Sequence, residues 1–203
     1  METKTLQFGE TFQEAITIGV KNAPSIIAAI ALWLVTIWIP YLNIGTTIAI
    51  ALLPTELAKG NIINPLGIFG SKYRRYMGEY LLTVILMVLG IYAAMLFLFV
   101  PGIVLAIAWS LSVYFLIEKS MNPIQAIKAS NDATYGSKWT IFGVSVVFGI
   151  AALIVSTISI AICDTIHNGF VTFIVMTVLI ILIASISMAI NASIWRQLKD
   201  NVA

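Results

Sequence analysis

The chain has 203 residues, of which 60% are hydrophobic and only 10% charged, with a net charge of +2 and a mean hydropathy of +1.01. Soluble domains carry roughly 25% charged residues, so water is excluded as the main solvent, and apolar runs that recur to the end of the chain exclude a soluble domain with a single anchor. The charge is too small to imply a nucleic-acid partner, and one cysteine, Cys163, excludes an intrachain disulfide and a Cys-based metal cluster.

The first residues, METKTLQFGETFQEAITIG, contain Glu2, Glu10 and Glu14 and no short apolar core followed by a cleavage site, which reads against a removed signal peptide. Phe8, Phe12, Ile16 and Gly19 form one helical stripe, and Glu10, Gln13, Glu14, Thr17 and Lys21 form another. That spacing predicts an amphipathic helix at the membrane interface. The apolar stretch that follows, 23 to 53, is too long for one crossing and is broken by Pro40, Asn43 and Gly45, so two spans are expected, 23 to 39 and 43 to 58. The stretch 79 to 117 is broken at Pro101-Gly102 and divides in the same way into 79 to 100 and 103 to 117. Spans five and six cover 139 to 162 and 170 to 194. The shorter spans are marginal: a helix of about 17 residues covers about 25 Å against a hydrocarbon core of roughly 30 Å. A re-entrant hairpin that dips in and returns gives the same pattern as a complete pair of crossings.

The basic residues support this count, because cytoplasmic loops collect Lys and Arg. Lys4 and Lys21 precede the first span; Lys59, Lys72, Arg74 and Arg75 lie between the second and third; Lys119, Lys128 and Lys138 lie between the fourth and fifth; Arg196 and Lys199 follow the sixth. All 11 basic residues therefore fall on one side. Both termini are expected in the cytoplasm, with the chain a multi-pass protein of the cell inner (cytoplasmic) membrane.

The segments between hairpins share a layout. INPLGIFGSKYRRYMGEYLL and MNPIQAIKASNDATYGSKWT both open on Asn-Pro, Asn64 and Asn122, and reach a glycine, Gly78 and Gly136, at the same spacing. Asn is a good N-cap, Pro suits the first turn and Gly a helix stop or a kink. Each is expected to be one short helix, with Leu66, Phe69, Tyr73, Tyr76 and Tyr80 as the apolar stripe of the first and Ile124 and Ile127 as that of the second. With the N-terminal segment as a looser third copy, the expectation is an all-α integral membrane protein in a single membrane domain, 1 to 203. It would hold about six transmembrane helices in three hairpins, each preceded by a cytoplasmic interfacial amphipathic helix. The units run approximately over 6 to 59, 64 to 119 and 122 to 195.

The stretch Pro101-Gly102, an apolar helix to Ile117, Glu118, Pro123, Ala126 with Ala129, and Gly136 with Trp139 resembles the membrane domain that precedes glycerophosphoryl diester phosphodiesterases in some bacteria. It also resembles related stand-alone multi-pass proteins of uncharacterised function. The resemblance covers about 45 residues on this short-motif footing and implies a helical membrane module, not hydrolysis, since the phosphodiesterase catalytic domain is absent. Members of that group often have a basic residue where this chain has Ala108-Trp109, which weakens transfer of a binding role.

Candidate site residues are few. Cys163, Asp164 and His167 sit in CDTIHNG, a spacing that reads as a polar turn ending on Asn168-Gly169 and not as a metal site. Glu56, near the inner end of the second span, is a candidate intramembrane polar group, although Lys59 one turn on offers it a local partner. Asn191, Ser187, Ser156 and Ser159 are candidates for a polar site within the bundle. Ser185, Ala189 and Ser193 form a small-residue stripe suited to close helix packing. Lys72, Arg74 and Arg75, with Tyr73 and Tyr76, are the strongest surface feature, placed for contact with lipid headgroups or a partner. No catalytic set, metal or cofactor is expected. The partners expected are membrane lipids, anionic ones in particular, and a membrane protein or a second copy of the chain. The expected role is a non-enzymatic module, with a small transporter or channel subunit as the rival.

Overall fold

The computed structural model describes residues 4–166 and 168–202, and among these there is no strand. The helices are α1 (Phe8–Thr36), α2 (Pro40–Ala51), α3 (Leu53–Leu57), α4 (Ser71–Arg75), α5 (Met77–Phe97), α6 (Phe99–Ala108), α7 (Ser112–Glu118), α8 (Pro123–Ala133), α9 (Lys138–Ile166) and α10 (Gly169–Leu198), with a 3-10 turn over Pro65–Phe69. Five segments are long and apolar enough to cross a bilayer: Phe8–Thr36, Met77–Phe97, Phe99–Glu118, Lys138–Thr165 and Gly169–Leu198. The chain is therefore an all-α, multi-pass membrane protein in its coarse features. The segment 43 to 58 is not one of the five, because it is divided at Leu52 into α2 of 12 residues and α3 of 5.

The amino-terminal half differs from expectation in a way that packing explains. The interfacial helix and first span are one unbroken helix of 29 residues, which continues through Pro24 at the loss of one backbone hydrogen bond. Its buried face is Thr11, Ala15, Gly19, Asn22, Ile26 and Ala29; of the expected apolar stripe Gly19 is buried and Phe12 half-buried against the core, while Phe8 and Ile16 are exposed. Small residues face inward because helix association in an apolar solvent rests on close contact, which bulky side chains prevent. The opposing face on α10 is the small-residue stripe Ser185, Ala189 and Ser193, all buried. At the crossing, a Cβ added to Gly19 would lie 2.9 Å from the Ile186 Cα.

Polar contacts fix the antiparallel register of α1 on α10. The Lys4 backbone N–H donates to Asn201 Oδ1 at 3.0 Å and that of Gln7 to Gln197 Oε1 at 2.9 Å. Ser193 Oγ donates to Glu14 at 2.7 Å, and Arg196 forms an ion pair with the same carboxylate. The two ends of the described chain thus lie side by side.

Two further pairs pack closely. Trp33 Nε1 donates to Thr47 Oγ1 at 2.9 Å across α1 and α2, and the Thr36 and Thr46 hydroxyls are 2.8 Å apart. Between α5 and α6, Gly90 admits the ring of Trp109: a Cβ there would meet it at 2.6 Å. The turn from Trp109 to Leu111 that separates α6 from α7 leaves backbone groups without helical partners. Ser130 of α8 supplies them, donating to the Ala108 carbonyl at 2.7 Å and accepting from the Leu111 N–H at 3.1 Å. Below this joint Trp195 packs edge-on against Phe115 and Tyr114, with centroids 4.9 and 5.6 Å apart.

The Asn-Pro segments begin alike and end differently. Asn64 accepts from the Leu66 N–H, and Asn122 forms a full capping box with Gln125. Gly136 has φ +80° and stops the second copy, but Gly78 lies inside α5. The first copy is a 3-10 turn and the separate helix α4, joined at Gly70, not one helix. Its Leu66 is exposed and its Ile68 and Tyr73 are buried. In α8 Ile124 is exposed, and the buried face is Ala126, Ala129, Ser130 and Ala133, again the small residues.

Candidate functional site

An ionic junction forms where α3, α4 and α7 meet. Glu56 accepts from Lys59 Nζ at 3.1 Å and from Lys72 Nζ at 3.2 Å, and Lys59 also pairs with Glu118 at 3.4 Å. Thr55 Oγ1 donates to the other Glu118 oxygen at 3.4 Å. Lys72 Nζ additionally lies 4.8 Å above the buried Tyr73 ring, within cation–π range. Burial alone pushes the Glu56 carboxyl up, but the Lys59 and Lys72 ammonium groups outweigh it and hold the group below the usual carboxylate range. Lys59 and Lys72 are displaced upward, since their anionic and aromatic partners outweigh burial. All three are thus firmly charged near neutral pH, the reverse of the poise that proton transfer requires. The junction ties α3 and the turn after it to α4 and α7, and beside it lies a cavity of about 340 Å³ lined by Asn61, Ile63, Asn64 and Tyr73 together with Glu56 and Lys72.

The local partner expected for Glu56 is present, and the second lysine and Glu118 are additions that spacing along the chain does not reveal. The basic group is divided among different tasks. Lys72 is held by Glu56. Arg74 donates to the Phe69 carbonyl at 3.1 Å, and its stem packs on Gly45 of α2 so closely that a Cβ there would meet Arg74 Cγ at 2.7 Å. Tyr76 shares a 2.9 Å hydrogen bond with Ser120, whereas Arg75 is exposed and has no ion pair among the described residues.

A second feature is a lateral cleft of about 500 Å³ between α6, α9 and α10, closed at one side by Met95 of α5. Four polar side chains converge on its apolar walls: Ser110, Ser145, Ser187 and Asn191. Ser110 and Ser145 donate to the Ile107 and Ile141 carbonyls of their own helices at 2.8 and 2.9 Å. Asn191 Nδ2 donates to the Ser187 carbonyl at 2.9 Å, and its Oδ1 has no protein donor among the described residues. An apolar cleft with a few convergent polar groups is the usual form of a ligand site. A smaller chamber of about 240 Å³ adjoins it, lined by Val100, Val104, Lys138 and Trp139, and shares Ile103, Ile107 and Phe142 with it.

Of the residues expected in an intramembrane polar site, the cleft therefore brings together Ser187 and Asn191. Glu56 lines the other cavity, and Ser156 and Ser159, farther along α9, line neither. Ser110, Ser145 and Lys138 were missed; the i, i+4 pairing of Ser187 with Asn191 marks one wall of the cleft, but nothing local marks the wall that α6 adds. Cys163 is buried and Asp164 exposed, while His167 lies outside the described residues. No family model, curated protein or solved structure matches the chain.

Proposed function

We propose that the protein is a non-enzymatic multi-pass module of the bacterial cytoplasmic membrane, with both termini in the cytoplasm, that engages membrane lipids and uses its helical bundle as a scaffold. The observation that carries this reading is the outward placement of apolar side chains: Leu96 and Phe97 at the end of α5 are each 87% exposed, and Leu153 on α9 is 67% exposed. Only lipid or another membrane protein satisfies such surfaces. The resemblance of 101 to 139 to the membrane domain associated with phosphodiesterases fits the same role.

Ends that lie side by side require an even number of complete crossings. Six follow if the hairpins broken at Pro40 and at Pro101 both cross fully, and each one that is re-entrant removes two, leaving four if only the first is. Arg74 against Gly45 favours four, because Gly45 is only about 7.5 Å along the helix axis from the Pro40 turn, and a guanidinium that deep in hydrocarbon is costly. Cysteine labelling in a Cys163→Ser background decides. Asn168→Cys should react with an impermeant exterior reagent and Lys128→Cys should not. Asn43→Cys reacts from outside only if the first hairpin crosses completely. An exterior-reactive Lys128→Cys would overturn the orientation.

Arg75, exposed and without an ion pair among the described residues, is the member of its basic group left open to anionic headgroups, with Lys72, Tyr73 and Tyr76 as its neighbours. Arg75→Gln should weaken retention of anionic over zwitterionic lipid about fivefold in gently solubilised protein; an unchanged ratio removes this contact. A transporter or channel subunit is the second reading, favoured by the convergence of Ser187 and Asn191 on the cleft. Solute flux into proteoliposomes that Asn191→Leu abolishes would select it.

A further inference from the structure

The cleft of about 500 Å³ and its smaller neighbour form one trench, because Ile103, Ile107 and Phe142 line both. Its lining comes from four of the segments long and apolar enough to cross a bilayer, Met95 being the one contribution of α5, so its occupant comes from within the membrane. A second copy of the chain is a poor fit. A single turn of helix, about 5.4 Å long and 10 Å across, already fills about 400 Å³, so the larger chamber accepts little more than one turn.

The ends of the trench differ chemically. At one end Lys138 Nζ is held at 2.9 Å by Asn131 Oδ1 and has no carboxylate partner among the described residues; the Asp132 carboxylate beside it accepts instead from Asn131 Nδ2. Next to Lys138 is Trp139, 80% exposed and stacked edge-on to Phe142 with centroids 6.1 Å apart. An ammonium without a carboxylate partner among the described residues and an exposed indole are two groups that favour the headgroup level of a bilayer. The middle is apolar, formed by Val100, Ile103, Val104, Ile107 and Phe142. At the inner end the Ser110 and Ser145 hydroxyls are turned to their own helices, and the open Asn191 Oδ1 sets the limit beyond which a hydrocarbon chain leaves an acceptor unpaired.

We infer that this trench holds one acyl chain of an anionic membrane lipid, with the phosphate at Lys138 and Trp139 and the chain running past Phe142 toward Ile190. The inference rests on the lipid-engaging reading above and goes further by naming the site and the charge of the headgroup.

The test uses the full chain in nanodiscs with phosphatidylglycerol or phosphatidylcholine that carries a photoreactive diazirine near the chain terminus, with labelled residues located by mass spectrometry. The expected result is labelling at Ile103, Phe142 and Ile190 well above that at the outward-facing Leu153 and Ile180, stronger with phosphatidylglycerol. Lys138→Gln should reduce the phosphatidylglycerol preference about fivefold and Lys138→Arg restore it. Ala106→Phe, checked for unchanged helicity, should remove the label at Ile190. Uniform labelling over α9 and α10, equal labelling by the two lipids, or an unchanged preference in Lys138→Gln each overturn the site. Such results in protein that still floats with vesicles leave the general lipid reading standing, whereas protein that fails to insert into vesicles overturns both. Crosslinks between two protein chains through the trench, in place of lipid, would show that a second copy occupies it.

Discussion

Gly19→Ala isolates the contact on which the α1 and α10 pair depends. A Cβ at this position would lie 2.9 Å from Ile186 Cα and 3.1 Å from Ile186 N. Both are backbone atoms and cannot rotate away, so the helices must part. Overpacking of this kind costs about 1–3 kcal/mol, and the better helix propensity of alanine returns about 1 kcal/mol. The net loss is about 1 kcal/mol, enough to lower Tm by about 2–4 °C in a chain of this size. Gly149 of α9 is the control, because a Cβ there meets nothing within 4 Å; only the propensity gain of about 0.5–1 kcal/mol remains, and Tm should rise. The assay is thermal unfolding of the detergent-solubilised protein, followed by tryptophan fluorescence, for wild type and both variants side by side. Opposite signs are required. A Gly19→Ala protein stabilised as much as Gly149→Ala would refute the close approach of the two helices.

Ser130→Ala should cost about 1–3 kcal/mol, because the Ala108 carbonyl and Leu111 N–H lose the hydroxyl that joins α6 to α7; the same melts measure it. Ser185→Ala should be neutral or slightly stabilising, since the Ser185 hydroxyl is buried without a hydrogen-bond partner among the described residues, and a clear fall in Tm would show a partner after all. The ionic junction gives a pH dependence with a definite sign. Glu56 is held below the ordinary value of 4.5, so its contribution is complete above that value and lost as pH falls through the lower folded value. Lys59 and Lys72 are raised above 10.5, so theirs is complete below that value and lost as pH rises beyond it. A Glu56→Gln protein should lose the acid flank and only part of the alkaline one, since Glu118 still holds Lys59 and Tyr73 still faces Lys72.

Hydropathy located nearly every helix, but in α1 and α8 the bulkiest members of the apolar stripe, Phe8, Ile16 and Ile124, lie outside the buried face. The cause is the solvent. In water a bulky apolar stripe turns inward, and Phe8, Phe12 and Ile16, or Ile124 and Ile127, form such stripes. Where the surroundings are hydrocarbon, apolarity no longer separates inside from outside, and side-chain size does. Thr11, Ala15 and Gly19 on α1 and Ala126, Ala129 and Ser130 on α8 are buried for that reason. The α10 stripe of Ser185, Ala189 and Ser193 was legible because it was read by size from the start. The same distinction hid the continuity of α1: the change from amphipathic to fully apolar near Lys21 marks a change of surroundings along one helix, not a boundary between two.

The candidate sites show where one-dimensional reading ends. Glu56 and Lys59 lie one turn apart, so their pairing is local, but Lys72 and Glu118 reach them only through the fold. The cleft has the same character. Ser187 and Asn191 share a helix face, whereas Ser110 and Ser145 join them only through the fold, Ser110 lying in the bend after Ala108 that the Ser130 hydroxyl holds and beside the Trp109 ring that fits over Gly90. That joint sets the position of α6 against α9, and with it the width of the trench. Ser130→Ala should therefore change the labelling of Phe142 and Ile190 by a chain-terminal photoreactive lipid as well as Tm, although Ser130 lines neither chamber. A loss of stability with labelling unchanged would show that α6 is held in place by its contacts with α5 and α9 alone, and that the bend has no part in shaping the trench.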